Sequence, residues 1–283
     1  MANEQVVSFL NDFSIEVTPN AAKKIDSFSD YLSLGTLIYI AHIEGTPIEE
    51  TVATAKKIID QGFKAMPHFP ARIIKDKDTL KDWIERYKNE AGVENALFIA
   101  GGANKPYGEF DSSIQLIESE LFDQAGFKNL HIAGHPEGSK EIDPDGTTAN
   151  VDQALSWKNE FSKRTDASMA ITTQFCFDSN SVIEWANGIQ KSGIDIPVHI
   201  GIAGPAKLQT LLRYSIECGV GASIKILQKR AKDITKLLLP YKPTQIISEL
   251  AAYKSSNPDF NIEKVHFFPL GGIKQVSQFV KEI

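Results

Sequence analysis

Cysteine is scarce in this sequence: 283 residues hold two, Cys176 and Cys218. Two thiols cannot make a disulfide framework, a four-cysteine zinc site or an iron–sulfur cluster. Positive charge is also in deficit. The 30 Lys and Arg against 36 Asp and Glu leave a net charge of −6, the wrong sign for the basic footprint of a nucleic-acid binder. No uninterrupted apolar run reaches about 18 residues, so no membrane span is expected. The opening MANEQVVSFLNDF has no basic n-region and no long apolar core of a secretory signal. These absences lead to the expectation of a soluble, cytoplasmic protein. What is present is an ordinary globular composition, 42% hydrophobic and 23% charged, sufficient to bury a full core. The length suits two ordinary domains or one α/β barrel of about 250 residues.

Short β-like runs alternate with longer amphipathic ones from end to end. The strand candidates are FSIEVT from Phe13, LIYIAH from Leu37, KAMPHF from Lys64 and NALFIAG from Asn95. NLHIAGH from Asn129, MAITTQFCF from Met169, PVHIGIAG from Pro197 and KVHFFPLGG from Lys264 continue the series. Each is rich in Ile, Val, Phe and Thr, and most end on Gly or Pro. Between them, PIEETVATAKKIIDQG offers Pro47 to a first helical turn and Gly62 to a C-terminal cap. TLKDWIERYKNEAG and SSIQLIESELFDQAG close on Gly92 and Gly126 in the same way, and SNSVIEWANGIQKSG opens on Ser179 or Asn180 as N-cap. Strand–helix alternation repeated about eight times points to a parallel sheet wound by helices. We therefore expect residues 1–283 to form a single (β/α)8 barrel domain. The stretch 228–259, split by Pro240 and Pro243, is expected to add a helical segment before the last strand. No low-complexity tract, charge block or linker interrupts the chain.

Active sites of such barrels lie at the C-terminal ends of the strands, so polar residues in or just after apolar strands are the candidates. In the first strand, alternation puts Ser14, Glu16 and Thr18 on one face and Ile15 and Val17 on the other. The apolar face should meet the helices, which sends Glu16 inward. A desolvated carboxylate there is expected to hold its proton toward neutral pH and to act as a general acid; a Glu satisfied by a neighbouring cation is the alternative. All six histidines fall in predicted strands. His42, His68 and His135 sit near strand ends, where a ligand would be, whereas His131, His199 and His266 lie deeper and read as core histidines. Three strand-end histidines with Asp178 could in principle hold zinc, but the first strand has no His-x-His pair, so no metal is expected. Gln174 lies among Phe175 and Phe177 in an apolar run, and its amide offers a donor and an acceptor to a heterocycle edge or to a neighbouring loop. After the fourth strand, Gly101 and Gly102 permit close backbone approach to a ligand, with Lys105 beside them. This is neither a phosphate-binding Walker loop nor a dinucleotide fingerprint. GHPEG after the fifth strand is similar: turn chemistry first, ligand contact second.

Taken in order, these segments resemble the methylenetetrahydrofolate reductase family, a flavin-dependent (β/α)8 barrel. SIEVTP is similar to the family's S-F-E-F-F-P strand, which makes Glu16 the match for its catalytic glutamate. PHFPAR resembles P-H-L-T-C-R and puts His68 at the flavin-proximal histidine. ITTQFCFD resembles I-T-Q-F-F-F-D, with Gln174 at the folate-contacting glutamine and Phe175 beside it. HPEG parallels Y-P-E-x-H, and VHIGIAGPAKLQ parallels the P-G-I-x-P-I strand and its helix. VHFFPLGG parallels H-F-Y-T-L-N. The resemblance spans nearly the whole chain.

It implies folate as substrate, NADH or NADPH as reductant, and FAD as carrier. The implied cofactor side comprises Ile40, His42, His68, Gly101, Gly102, Ala103, His135 and Lys158. That side is where the sequence departs from the family. R-G-D becomes Gly101, Gly102 and Ala103; the flavin-contacting threonine becomes Ile40; the stacking tyrosine becomes His135; and T-L-N becomes Pro269, Leu270 and Gly271. Folate binding is thus implied more securely than flavin binding. Arg72, Lys105 and Lys207 are the cations nearest strand ends for an acidic folate tail, and Lys207 is assigned to substrate. The implied reaction protonates N10 of methylenetetrahydrofolate from Glu16, opens the ring to an iminium at N5, and delivers hydride, while Gln174 holds the pterin. Alternatives are folate-dependent methyl transfer, a non-catalytic folate-binding barrel and, further off, a metal-dependent hydrolase. Neither nucleic acid nor membrane is an expected partner, and a homo-oligomer is an allowed form.

Overall fold

Apolar alternation on short strands, each followed by an amphipathic helix, leaves one arrangement in which every backbone group is paired and every apolar stripe covered. The computed structural model, which describes residues 2–220, 224–231 and 239–283, adopts it. Its eight strands are β1 (Ser14–Val17), β2 (Leu37–Ile40), β3 (Lys64–Pro70), β4 (Asn95–Ile99), β5 (Asn129–Gly134), β6 (Ser168–Thr173), β7 (Val198–Ala203) and β8 (Ile262–Phe268). They follow one another in chain order round a closed parallel barrel, the (β/α)8 fold expected from the sequence. No helix among the described residues is long and apolar enough to cross a membrane.

The chain divides into two compact units: Ser14–Ala133 with Glu160–Ile171, and Met1–Phe13 with Gly134–Asn159 and Thr172–Ile283. In the first, registers Ile15↔Ile38, Glu16↔Tyr39 and Tyr39↔Met66 align β1 to β3, and His68↔Leu97 and Leu97↔His131 carry the alignment to β5. Alternation gives each strand two environments. Phe69 and Phe98 face the helix layer, packing edge-on against Phe122 and Phe127, with the Tyr87 ring tilted against Phe69. Tyr39, Met66 and Leu97 form a separate cluster on the inner face, with Leu37 and Ile99 against it.

The second unit is built round β7 and β8, paired from Val198↔Ile262 to Ala203↔Phe268 with one irregularity at Val198/His199. Gly201 is obligatory there. A Cβ on it would stand 2.4 Å from the carbonyl oxygen of Thr173, and its own N–H donates to the Thr173 hydroxyl at 2.8 Å. Phe175, Phe177, Ala203, Leu208, Leu211, Leu227 and Tyr241 form the apolar cluster of this unit. A helix not anticipated from the sequence, Ala2–Leu10, packs on the helix Thr244–Ser256, where Gln5 donates to Ser255 at 3.0 Å.

Local departures from the sequence reading have local causes. The helix expected over SSIQLIESELFDQAG is two pieces, Ser113–Glu118 and Leu121–Gln124, because Glu120 adopts φ +58 and the Ser119 hydroxyl takes the Leu121 N–H. The N-cap of Ser179–Lys191 is Asp178, whose carboxylate accepts from the Asn180 and Ser181 amides, one residue before the expected Ser179. Of the stretch 228–259, the helices Ile224–Ala231 and Thr244–Ser256 are described, and the part at 232–238 lies outside the described residues.

Candidate functional site

Several inner-face positions of the first unit carry polar groups where a barrel layer is ordinarily filled by branched aliphatics. Glu16 is the inward residue of β1, between Ile15 and Val17, which are buried on the other side. On β3 the same parity brings His68 inward. Its Nε2 lies 3.2 Å from Oε2 of Glu16, with side chains 9% and 18% exposed. The contact is close but lacks hydrogen-bond alignment, so Nε2 keeps its directional capacity. A carboxyl and an imidazole at this distance, largely withdrawn from water, can exchange a proton with each other and with a ligand above them.

The third polar position was not singled out from the sequence. Tyr39 on β2, the register partner of Glu16, is fully buried, and its hydroxyl lies 2.6 Å from Nδ1 of His131 on β5. Its ring meets that of His68 edge-on at 6.3 Å and that of His131 at 5.8 Å. Tyr39 could have been found by carrying the Glu16 face across the register to LIYIAH. The sequence does not show that register.

Several expected contacts are relocated. Ile40 is buried on the face of Ile38, opposite Tyr39, because one residue of strand reverses the face. His42 keeps that parity beyond the strand: it stacks on Trp83 of the helix Lys77–Ala91 at 4.7 Å and bonds the Thr46 carbonyl at 2.9 Å through Nε2. Burial, with His68 as a lesser influence, holds its pKa below the usual value despite the Thr46 contact. Both are therefore part of the helix-side packing and not of a cofactor surface. Gly101, with φ +93, lies against the end of β3; a Cβ there would stand 2.9 Å from that of Pro70. Gly102 has open space beside it, and Ala103 is buried. Ala103 also accepts a long contact from Arg72. Arg72, expected to meet an acidic tail, is committed to this loop: Nε donates to Asp111 Oδ1 at 2.9 Å and to the Asp111 carbonyl at 3.1 Å. Lys105 is exposed on the same loop.

The second unit holds another group of polar residues. Lys158 is buried, with no hydrogen bond or ion pair among the described residues, and burial brings its pKa down to about 8. His135, just past β5, is held at about 4 by burial and by Lys158, against the pull of Glu141 and Asp143. Asp143 caps the helix that carries Lys158, accepting from the Asn150 and Val151 amides at 2.9 and 3.1 Å. The structure thus brings His135 and Lys158 into one electrostatic environment, although they are 23 residues apart in the chain. Gln174 turns its Oε1 back onto the Phe175 N–H at 3.0 Å, which leaves the amide NH2 available for a ligand. Phe175, expected at the substrate, is a core residue: 1% exposed and packed on Phe177 and Phe268. Lys207 is exposed at the start of the helix Leu208–Glu217. His199 is buried and held at about 3 by burial, Lys264 and His266 against Asp12. Among the described residues no three His, Cys, Asp or Glu side chains converge as metal ligands.

No protein-family model matches the chain. Among solved structures, it is similar in fold to an uncharacterized protein from Clostridium thermocellum that binds two copies of 5-methyl-5,6,7,8-tetrahydrofolic acid. Identity is 10%, the match covers 100% of this chain and 98% of that one, and the TM-score is 0.56. A more distant likeness is to Yersinia pestis DHPS with a pterine-sulfa conjugate, at 11% identity, 98% and 93% coverage and a TM-score of 0.44.

Proposed function

We propose that this protein is a folate-binding barrel of the methylenetetrahydrofolate reductase type, with Glu16 as the proton donor to the folate. The observation that carries the reading is the Glu16–His68 pair, a carboxyl and an imidazole 3.2 Å apart on a nearly enclosed inner face. Two further points support it: the order of strand motifs from SIEVTP to VHFFPLGG, and the similarity over the full chain to a fold that holds 5-methyl-5,6,7,8-tetrahydrofolic acid in another protein.

In this reading Glu16 protonates the folate nitrogen that must leave, and its anion then faces the cation left behind. His68, beside it, returns the proton. The available Nε2 of Gln174 donates to an acceptor on the pterin, which orients the ring. Lys207, exposed at a helix start, supplies a cation for the acidic tail.

The residues at the implied flavin positions do not fit FAD. Ile40 and His42 belong to the helix-side packing, and buried Ala103 has no charge to set against a flavin ring. NADH or NADPH as direct reductant is the finer form of the proposal. Folate binding without turnover is the second reading, favoured by the same loss of cofactor-side chemistry.

The test is calorimetric titration of the purified protein with 5-methyltetrahydrofolate, together with nicotinamide oxidation in the presence of methylenetetrahydrofolate. Binding with oxidation is the expected result. Binding alone selects the second reading, and no binding overturns both.

A further inference from the structure

We infer that Tyr39, locked by His131, is a positioning residue that sets the orientation of the His68 imidazole toward Glu16. The inference rests on the proposed role of the Glu16–His68 pair and names the part of the fold that holds it in place.

Tyr39 and His131 stand in a layer otherwise made of Met66, Leu97, Leu37 and Ile99. A phenol and an imidazole in such surroundings each forfeit hydration, and bonding each other offsets part of it. Aliphatic side chains would fill the same layer without that requirement. The 2.6 Å contact between the hydroxyl and Nδ1 has a directional consequence. With the phenol donating to Nδ1, His131 carries its proton on Nε2, and the tip of the Tyr39 side chain is held in place. Anchored at its tip and packed among Met66, Leu97 and Leu37, the ring meets His68 edge-on at 6.3 Å and at an interplanar angle of 79°.

Register explains why the lock reaches its target. His68 and His131 stand at one level, through Leu97 between them, whereas Tyr39 is level with Glu16. Tyr39 therefore spans the two levels: its hydroxyl is fixed to the upper one and its backbone to the lower. The ionisable neighbours of His68 are Glu16 on β1, Tyr39 and His42 from β2, and His131 beyond β4. Of these, Glu16 makes the direct contact and Tyr39 provides the steric wall.

Nitrogen NMR of protein labelled at histidine tests this, with His68 identified by its loss in His68→Gln. In the wild type, His131 is expected as the Nε2–H tautomer, with the phenol as donor. In Tyr39→Phe and His131→Leu, the His68 nitrogen signals should move. His131→Gln retains an acceptor for the phenol and should restore wild-type His68 signals. Wild-type His68 signals in Tyr39→Phe, or equal behaviour of His131→Leu and His131→Gln, would sink the inference. A purely space-filling Tyr39 would lower the melting temperature and leave the His68 tautomer alone. Calorimetry with 5-methyltetrahydrofolate is run alongside, with affinity expected to fall about tenfold in Tyr39→Phe. If the wild type does not bind the folate, the functional proposal fails while the NMR comparison still decides the positioning role.

Discussion

His68 reaches Glu16 across an intervening strand: Nε2 and Oε2 are 3.2 Å apart although β2 lies between β3 and β1. His68 sits two residues beyond Met66, the position level with Glu16, so one inward step along β3 brings the imidazole over the carboxyl. Neither residue alone would mark a site. Their convergence on one face does.

Replacing Glu16 by Gln keeps the shape of the pocket and removes the transferable proton. Folate affinity should stay within a few-fold, while methylenetetrahydrofolate-dependent turnover falls about 100-fold or more. Single-turnover kinetics beside a binding isotherm measures both, and undiminished turnover would remove Glu16 from the proton-donor role.

Lys158 predicts a stability change of known sign. Its folded pKa of about 8 lies below the usual lysine value of 10.5, so the unfolded chain holds the extra proton between those limits and stability rises with pH across that window. Lys158→Met should be more stable than the wild type at pH 7, by up to about 3 kcal/mol. It should also lack the rise above pH 8. Denaturant midpoints from pH 7 to pH 11 test it, and parallel curves for the two proteins would refute it.

Acid sensitivity should begin early, for the related reason that His135 and His199 are buried neutral. Their folded values of about 4 and about 3 lie below 6.5. The unfolded state therefore takes up protons first, and stability present above pH 6.5 is lost as pH falls toward 4. His199→Asn should flatten that loss in thermal melts recorded from pH 7 to pH 4.

Arg72 holds the loop after β4 and should matter to stability before ligand affinity. Arg72→Ala removes the bonds to Asp111 and should cost about 1–2 kcal/mol, with protease cleavage appearing near 103–111. Folate affinity should not change; a tenfold loss would return Arg72 to the acidic tail.

Gly201→Ala should be among the most damaging single changes in the chain. The added methyl would enter the Thr173 carbonyl at 2.4 Å, a backbone atom that cannot step aside, and a loss of about 3 kcal/mol or more is expected. Expression level and unfolding midpoint report it.

Much of this protein was determined by the sequence alone, because the signals are local. Period-two runs ending in Gly or Pro, each followed by an amphipathic segment, specify eight strands and their helices. Parity within one strand suffices to send Glu16 inward, since Ile15 and Val17 must meet the helices. What only the tertiary structure decided depends on register between strands, which no single segment encodes. It made Tyr39 the neighbour of Glu16 and gave His131 the Tyr39 hydroxyl as partner. It also set Ile40 and His42 on the helix side and drew Arg72 to its own loop. Phe175 and Gln174 show the division most directly. They are adjacent and equally plausible at a ligand by sequence, yet beyond the end of β6 Phe175 fills the core while half-buried Gln174 accepts the Phe175 N–H with its Oε1, a division that packing past the strand end sets and no local pattern encodes.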